Sequence, residues 1–187
     1  YNEIREAAYQ TPFGIAKYGS PTRSAFDVSD EERQKTYEDA WKIGGQALLF
    51  CYTDLLTNKK SNETAAEFVR QRIRDTVKDP HVAELLCPKD HPIGTKRLCL
   101  DSFYFETYNQ DNVRLVDVKE TPITKIEPNA VVVGNKIFEI DDLILATGFD
   151  AMTGAVKDID IQNGTGENLS HQWSQGPQTY LGLMVAG

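Results

Sequence analysis

The chain has 187 residues, 40% of them hydrophobic and 26% charged, a balance that allows one sizeable core and excludes a disordered chain. A net charge of −8 with no basic stripe argues against nucleic acid and against an anionic membrane surface as partners. Three scattered cysteines, Cys51, Cys87 and Cys99, form no Cys-x-x-Cys pair, so the pattern indicates neither a disulfide framework nor a zinc site and suits a reducing cytosol.

No stretch approaches the roughly 20 apolar residues of a membrane span, and no charged-then-apolar secretory leader opens the chain, so a cytoplasmic location is expected. Residues 1–11 read as the tail of a helix, followed by a surface loop punctuated by Pro12, Gly14, Gly19 and Pro21. Ser29-Asp30-Glu31-Glu32 fits the capping box, in which the Ser29 hydroxyl and the Glu32 carboxylate satisfy orphan amides reciprocally. A helix presenting Tyr37, Ala40 and Trp41 follows. Beyond Gly44-Gly45, a second helix is expected from Ala47 to Leu56.

From Asn62 the apolar residues Ala65, Val69, Ile73 and Val77 recur every four positions, with Glu67, Arg70, Arg74 and Lys78 outside the stripe, the pattern of an amphipathic helix. Asp79-Pro80 supplies a cap and a first-turn proline for another short helix ending near Pro88. The triplets beginning at Asn62, Asn163 and Asn168 match a glycosylation acceptor, but such triplets arise often by chance and carry no weight in a cytoplasmic chain. His81, His91 and His171 are dispersed and lack metal-ligand spacing, so no metal site is assigned.

The pattern changes after Gly94. Residues 97–100 read as a strand, 103–109 as a short aromatic helix and 113–118 as an alternating strand. Short strands are expected at 123–126, 131–133 and 137–140, the last two joined through Gly134-Asn135, a dipeptide suited to a tight hairpin. Leu143-Ile144-Leu145 lacks polar alternation, as a strand buried on both faces does, and ends in Ala146-Thr147-Gly148. Small residues at the carboxyl end of such a strand let backbone approach a cofactor closely. A strand and turn at 159–164, a short helix at 169–173 and a strand at 180–185 complete the pass. Asp101, Tyr104, Glu106 and Tyr108 form a polar cluster best explained by structural hydrogen bonds.

The string from Ala146 to Ala155, Ala-Thr-Gly-Phe-Asp-Ala-Met-Thr-Gly-Ala, resembles the Ala-Thr-Gly crossover of flavin-dependent monooxygenases, and specifically of the Baeyer–Villiger monooxygenases. Gly94-Thr95-Lys96-Arg97-Leu98-Cys99-Leu100-Asp101, the run from Tyr104 to Asn112 and Gly176-Pro177-Gln178-Thr179-Tyr180-Leu181-Gly182 resemble the same family. The likeness implies a mixed α/β fold: a helical insertion over 1–93, the second part of a Rossmann-like NADP domain with the crossover over 94–150, and the returning part of an FAD domain over 151–187. It implies an FAD- and NADPH-dependent enzyme that takes a ketone and molecular oxygen to an ester or lactone through a C4a-peroxyflavin. Such an enzyme has no use for nucleic acid or a membrane.

An adjacent basic pair on its own is most often a solvated surface feature. The resemblance implies more: Lys96 meets the NADPH 2′-phosphate as a point charge, and Arg97, the catalytic candidate, reaches the junction of flavin and nicotinamide. A guanidinium can hold an anionic oxygen without surrendering a proton to it. Ala146, Thr147 and Gly148 are the cofactor-wall candidates. The chain opens on Tyr1, stops within an apolar run and contains no Gly-x-Gly-x-x-Gly phosphate turn, so a segment that relies on the remainder of a longer chain to hold its cofactors is expected. A nitrogen- or sulfur-oxidising flavin monooxygenase is the nearest alternative. A non-catalytic partner-binding module, which would need an exposed apolar patch, is the other.

Overall fold

The computed structural model describes residues 2–9, 21–148, 150 and 153–182, so the loop reading of residues 10–20 and the second half of the strand expected at 180–185 lie outside the described residues. Its architecture is mixed, helices with one small sheet, in two compact units, Tyr1–Pro122 and Ile123–Gly187.

In the first unit, helix α1 spans Asn2–Tyr9 and helix α2 spans Asp30–Ile43. The Ser29 hydroxyl accepts the Glu32 amide at 3.2 Å, as the capping signal requires, but the Glu32 carboxylate binds Arg23 instead of returning to the cap. Half of the capping box therefore forms, because a guanidinium nearby is a stronger partner for a carboxylate than a backbone amide. The helix expected over 47–56 is confined to one 3-10 turn, Ala47–Phe50. Gly44 and Gly45, both at positive φ, end α2, and residues 51–57 are bends and turns that bury Tyr52 and Leu55 without continuing the helix.

Helix α3 spans Lys59–Thr76 and helix α4 spans Pro80–Leu86. The cap of α3 is Asn58, whose side chain accepts two first-turn amides, so the helix begins before the apolar stripe does. The Asp79 side chain accepts the amides of His81 and Val82, with Pro80 in the first turn, as the sequence indicates. Tyr37 is the centre of the core: its ring lies 5.7 Å edge-on from Tyr52 and 5.5 Å from Phe68, and its hydroxyl reaches Thr64 at 2.7 Å. A second cluster, Ile73, Val77, Ala83 and Cys87, joins α3 to α4 and receives Phe105 of helix α5, Tyr104–Thr107, and Tyr108 just after it.

In the second unit, strands β1 (Ile123–Glu127), β2 (Ala130–Val133) and β3 (Lys136–Glu139) form an antiparallel meander in the order β1-β2-β3. Gly134-Asn135 closes the β2–β3 hairpin with Val133 opposite Lys136, the turn the dipeptide encodes. Short helices α6 (Gly154–Lys157) and α7 (Leu169–Gln172) follow, and Trp173 is buried just after α7.

Four expected strands do not form. Residues 97–100, 113–118, 143–145 and 159–161 carry no ladder, the last followed only by an isolated bridge between Gln162 and Asn168, and Ile144 and Leu145 are 87% and 71% exposed. A strand exists through its neighbours' amide groups, and among the described residues the sheet consists of β1, β2 and β3, with 143–145 paired to neither edge. Apolar patterning identified segments able to be strands, not the partners that would make them so.

The first unit also contains a buried polar junction. The Asp54 carboxylate accepts the Ser24 hydroxyl at 2.7 Å, the Ala25 amide at 3.0 Å and the hydroxyl of fully buried Ser61. Burial pushes this carboxyl up, and the bonds from Ser61, the Ala25 amide and Ser24 together outweigh it, leaving it below the ordinary 3.8. A carboxylate lowered on folding adds stability that is present above its unfolded value and is lost as pH falls through the folded one. Asp54→Ala, which strands Ser61 without an acceptor, should cost about 2–3 kcal/mol in urea unfolding at neutral pH and less in acid; an equal loss at pH 3 and pH 7 would contradict this account.

Candidate functional site

The sequence points to residues 94–101 and 146–148, which fall in different units. In the first unit, the segment after α4 has almost no secondary structure of its own until helix α5, Tyr104–Thr107. It is held by side chains. Arg70, on α3 and nearly buried, donates Nη1 to the Pro88 carbonyl at 3.3 Å while Nε binds Glu67 at 2.7 Å and Nη2 binds Glu63. Arg74 continues the row by bridging Glu67 at 2.8 Å and Glu84 of α4 at 2.6 Å, and Lys89 meets Glu84 at 2.6 Å. The bond from Arg74, then that from Lys89, holds the Glu84 carboxyl down at about 2.

Five residues on, Asn62 reaches from the first turn of α3 to Ile93. Its Nδ2 donates to the carbonyls of Leu55 and Ile93, each at 2.8 Å, and its Oδ1 accepts the Ile93 amide at 3.1 Å. Gly94 follows at φ +91°, where an added Cβ would stand 2.7 Å from Leu56 Cδ2 and 3.4 Å from Leu49 Cδ1. Both the conformation and the approach to these leucines favour glycine here. The Thr95 hydroxyl and amide then both return to the Pro92 carbonyl, at 2.7 and 3.3 Å, closing a turn.

Lys96 and Arg97 emerge directly from this turn, and both are exposed. Arg23, Arg33, Arg70, Arg72 and Arg74 each hold a carboxylate within 4 Å, whereas no described carboxylate of its own unit lies that close to Lys96 or Arg97. Lys35, Lys59, Lys60, Lys78 and Arg114 of the same unit are likewise without such a carboxylate, so the lack of one leaves Lys96 and Arg97 open to an external anion such as a nucleotide phosphate without setting them apart. Further along, the polar cluster is structural, as expected. The Asp101 carboxylate accepts the Tyr104 amide at 2.6 Å at the head of α5, and the Tyr108 hydroxyl donates to that of Tyr104 at 2.8 Å. Burial, then the bond to Tyr104, pushes the Tyr108 phenol up to about 12.

In the second unit, Ala146, Thr147 and Gly148 are all exposed. Gly148 has φ +84° and nothing within 4 Å of where a Cβ would stand, so its backbone is open to close approach from outside. That fits a cofactor wall. Asn62 is the residue that sequence reading missed, since it stood out there only as a glycosylation triplet. The signal was present nonetheless: Asn62 lies three and four positions before Ala65 and Ala66, on the apolar stripe, and an amide on a buried face must find partners.

No protein-family model matches the chain. It is 44% identical over its whole length to 2-oxo-Δ3-4,5,5-trimethylcyclopentenylacetyl-CoA monooxygenase of Pseudomonas putida, of which it covers 34%. Over 88% of the chain it is 41% identical to cyclopentanone 1,2-monooxygenase of a Comamonas species and 40% identical to phenazine N-monooxygenase of Lysobacter antibioticus, covering 30% of each. The crystal structure of OTEMO in complex with FAD and NADP superimposes on the whole chain with a TM-score of 0.92 at 42% identity, the chain covering 35% of it. The chain thus spans about a third of the length of the relatives it matches. Among the described residues, no helix is long and apolar enough to cross a membrane.

Gly94→Ala tests how tightly the turn before Lys96 is built. With a left-handed conformation to strain and a leucine to displace, it should lower the unfolding free energy of the chain by about 1–2 kcal/mol, whereas Gly148→Ala, with open space around it, should incur the conformational part alone. Urea unfolding of the two variants side by side measures the difference, and a larger loss for Gly148→Ala would count against the packing described.

Proposed function

We propose that these 187 residues are a segment of an FAD- and NADPH-dependent Baeyer–Villiger monooxygenase that converts a ketone, with molecular oxygen, to an ester or lactone. The observation that carries the reading is identity above 40% to monooxygenases over the whole chain, including the segments that hold Lys96-Arg97 and Ala146-Thr147-Gly148. In finer terms, residues 1–93 are a helical insertion, 94–150 complete a Rossmann-like NADP domain and carry the crossover, and 151–187 belong to the FAD domain. The protein works in the cytoplasm.

NADPH, when bound, supplies the hydride and the flavin the capacity to activate oxygen; the chain's own residues bind and orient. Lys96 offers a compact, mobile charge to the 2′-phosphate, the group that separates NADPH from NADH. Arg97 donates hydrogen bonds to negative charge as it develops on oxygen, and its very weak acidity keeps it from delivering a proton there. The open backbone at Gly148 lets the crossover lie against a cofactor without a side chain intervening.

A second reading has a specific observation in its favour, the 40% identity to a phenazine N-monooxygenase. In that case the oxygen goes to a nitrogen lone pair, and negative charge on a carbonyl oxygen never arises.

The complete flavoprotein decides between them. With cyclic and aryl ketones it should consume NADPH and yield ester or lactone; flavin-loaded enzyme that gives no ester but oxidises an aromatic amine or N-heterocycle would replace the first reading by the second. Lys96→Ala should weaken NADPH by roughly one to two decades while leaving NADH nearly unchanged; an equal change for both would refute the assignment of Lys96. Arg97→Lys should retain flavin reduction by NADPH and lose ester formation by about 10²–10³-fold, and ester formation at the parent's rate would exclude Arg97 from catalysis.

A further inference from the structure

We propose that Asn62 is a positioning residue for Lys96 and Arg97, fixing where the cation pair stands for the nucleotide; the inference rests on the cofactor role assigned to that pair. Three observations lead to it.

The first is saturation. Asn62 is 7% exposed, and both hydrogens of Nδ2 are used, on Leu55 and Ile93, while Oδ1 takes the Ile93 amide. Its amide thereby pairs with both the N–H and the C=O of Ile93, as a neighbouring strand would. In a segment without a ladder, this is the substitute for one.

The second is the shortness of the tether. Ile93 precedes Lys96 by three residues, at most about 10 Å of chain. Most of that length is not free: Gly94 is packed against Leu49 and Leu56, and Thr95 is turned back to Pro92. A shift at Ile93 is passed to Lys96 with little slack to absorb it.

The third is a matching fixture on the other side. The Asn109 Nδ2 donates to the Thr76 carbonyl and its Oδ1 accepts the Lys78 amide, both at 2.8 Å, where α3 ends. Residues 93–109, with Lys96 and Arg97 between the two asparagines, therefore hang from the two ends of one helix. Neither asparagine bears on the cation pair directly, which is why a positioning role, and not a contact, is inferred.

The test uses the complete flavoprotein carrying Asn62→Asp, which keeps the size but presents an acceptor to the Leu55 and Ile93 carbonyls. Asn62→Ser, too short to bridge, is the second variant should the aspartate not fold. Dissociation constants for NADP+ and NAD+ are measured by titration, alongside amide hydrogen exchange of residues 93–97, flavin content and melting temperature. Faster exchange at Ile93, about tenfold weaker NADP+ with NAD+ changed less than about twofold, and a double variant with Lys96→Ala no weaker for NADP+ than Lys96→Ala alone would support the inference. Equal weakening of both nucleotides, or losses that simply add in the double variant, would mean that Asn62 serves stability alone and would overturn it. If Lys96→Ala alters the NADP+ preference and the Asn62 variants do not, the positioning role falls while the cofactor assignment stands. If Lys96→Ala itself leaves the preference untouched, the assignment of the pair fails and takes the inference with it.

Discussion

A backbone segment without helix or ladder must still satisfy its amide and carbonyl groups, and in the unit up to Pro122 it does so on the side chains of one helix. Arg70 takes the Pro88 carbonyl, Asn62 takes both groups of Ile93, and the end of α3 is met by Asn109. Helix α3 is thus less an element packed beside the Lys96-Arg97 segment than the frame on which it is stretched. The same helix carries Phe68 and Ala65 into the core around Tyr37, so the same eighteen residues anchor the segment and the interior.

The placement of ion pairs follows the same division. Arg70 pairs with Glu63 and Glu67 along α3 itself, and Arg74 bridges Glu67 to Glu84 and so joins α3 to α4. Exposed pairs of this kind contribute little each to stability, but a row of them fixes the relative register of two helices. Lys96 and Arg97 meet no carboxylate among the described residues of their own unit, although the sequence has eight more acidic than basic residues. Cations kept free of partners remain available to a ligand.

What could be read from the sequence divides along the reach of the interactions involved. Ser29, Asp79-Pro80 and Gly134-Asn135 were legible because each acts within a few residues of itself. The roles proposed for Lys96-Arg97 come from likeness alone, since nothing in the pair's composition separates it from ordinary surface, whereas the Ala146-Thr147-Gly148 tip was singled out by small residues after an apolar run as well. Strands at 97–100, 113–118, 143–145 and 159–161 were misread because pairing depends on neighbours distant in sequence. Glu32 chose Arg23 over its own helix for a related reason: a tertiary partner outcompeted the local one. Asn62 needed both kinds of information, a position on the apolar stripe and a partner thirty-one residues away.

The unladdered run at Leu143-Ile144-Leu145 has a consequence for handling the protein. A short β-prone apolar stretch with free backbone groups is an adhesive edge, able to add to the same stretch in another copy. Here the run is bracketed by Asp141 and Asp142 on one side and Asp150 on the other. Stacked copies would bring these carboxylates together, so the aspartates act as gatekeepers against self-association. That protection is electrostatic, and it weakens in high salt or once acid protonates the carboxylates. Dilute, low-salt, neutral buffer should accordingly favour the dispersed state of the isolated chain.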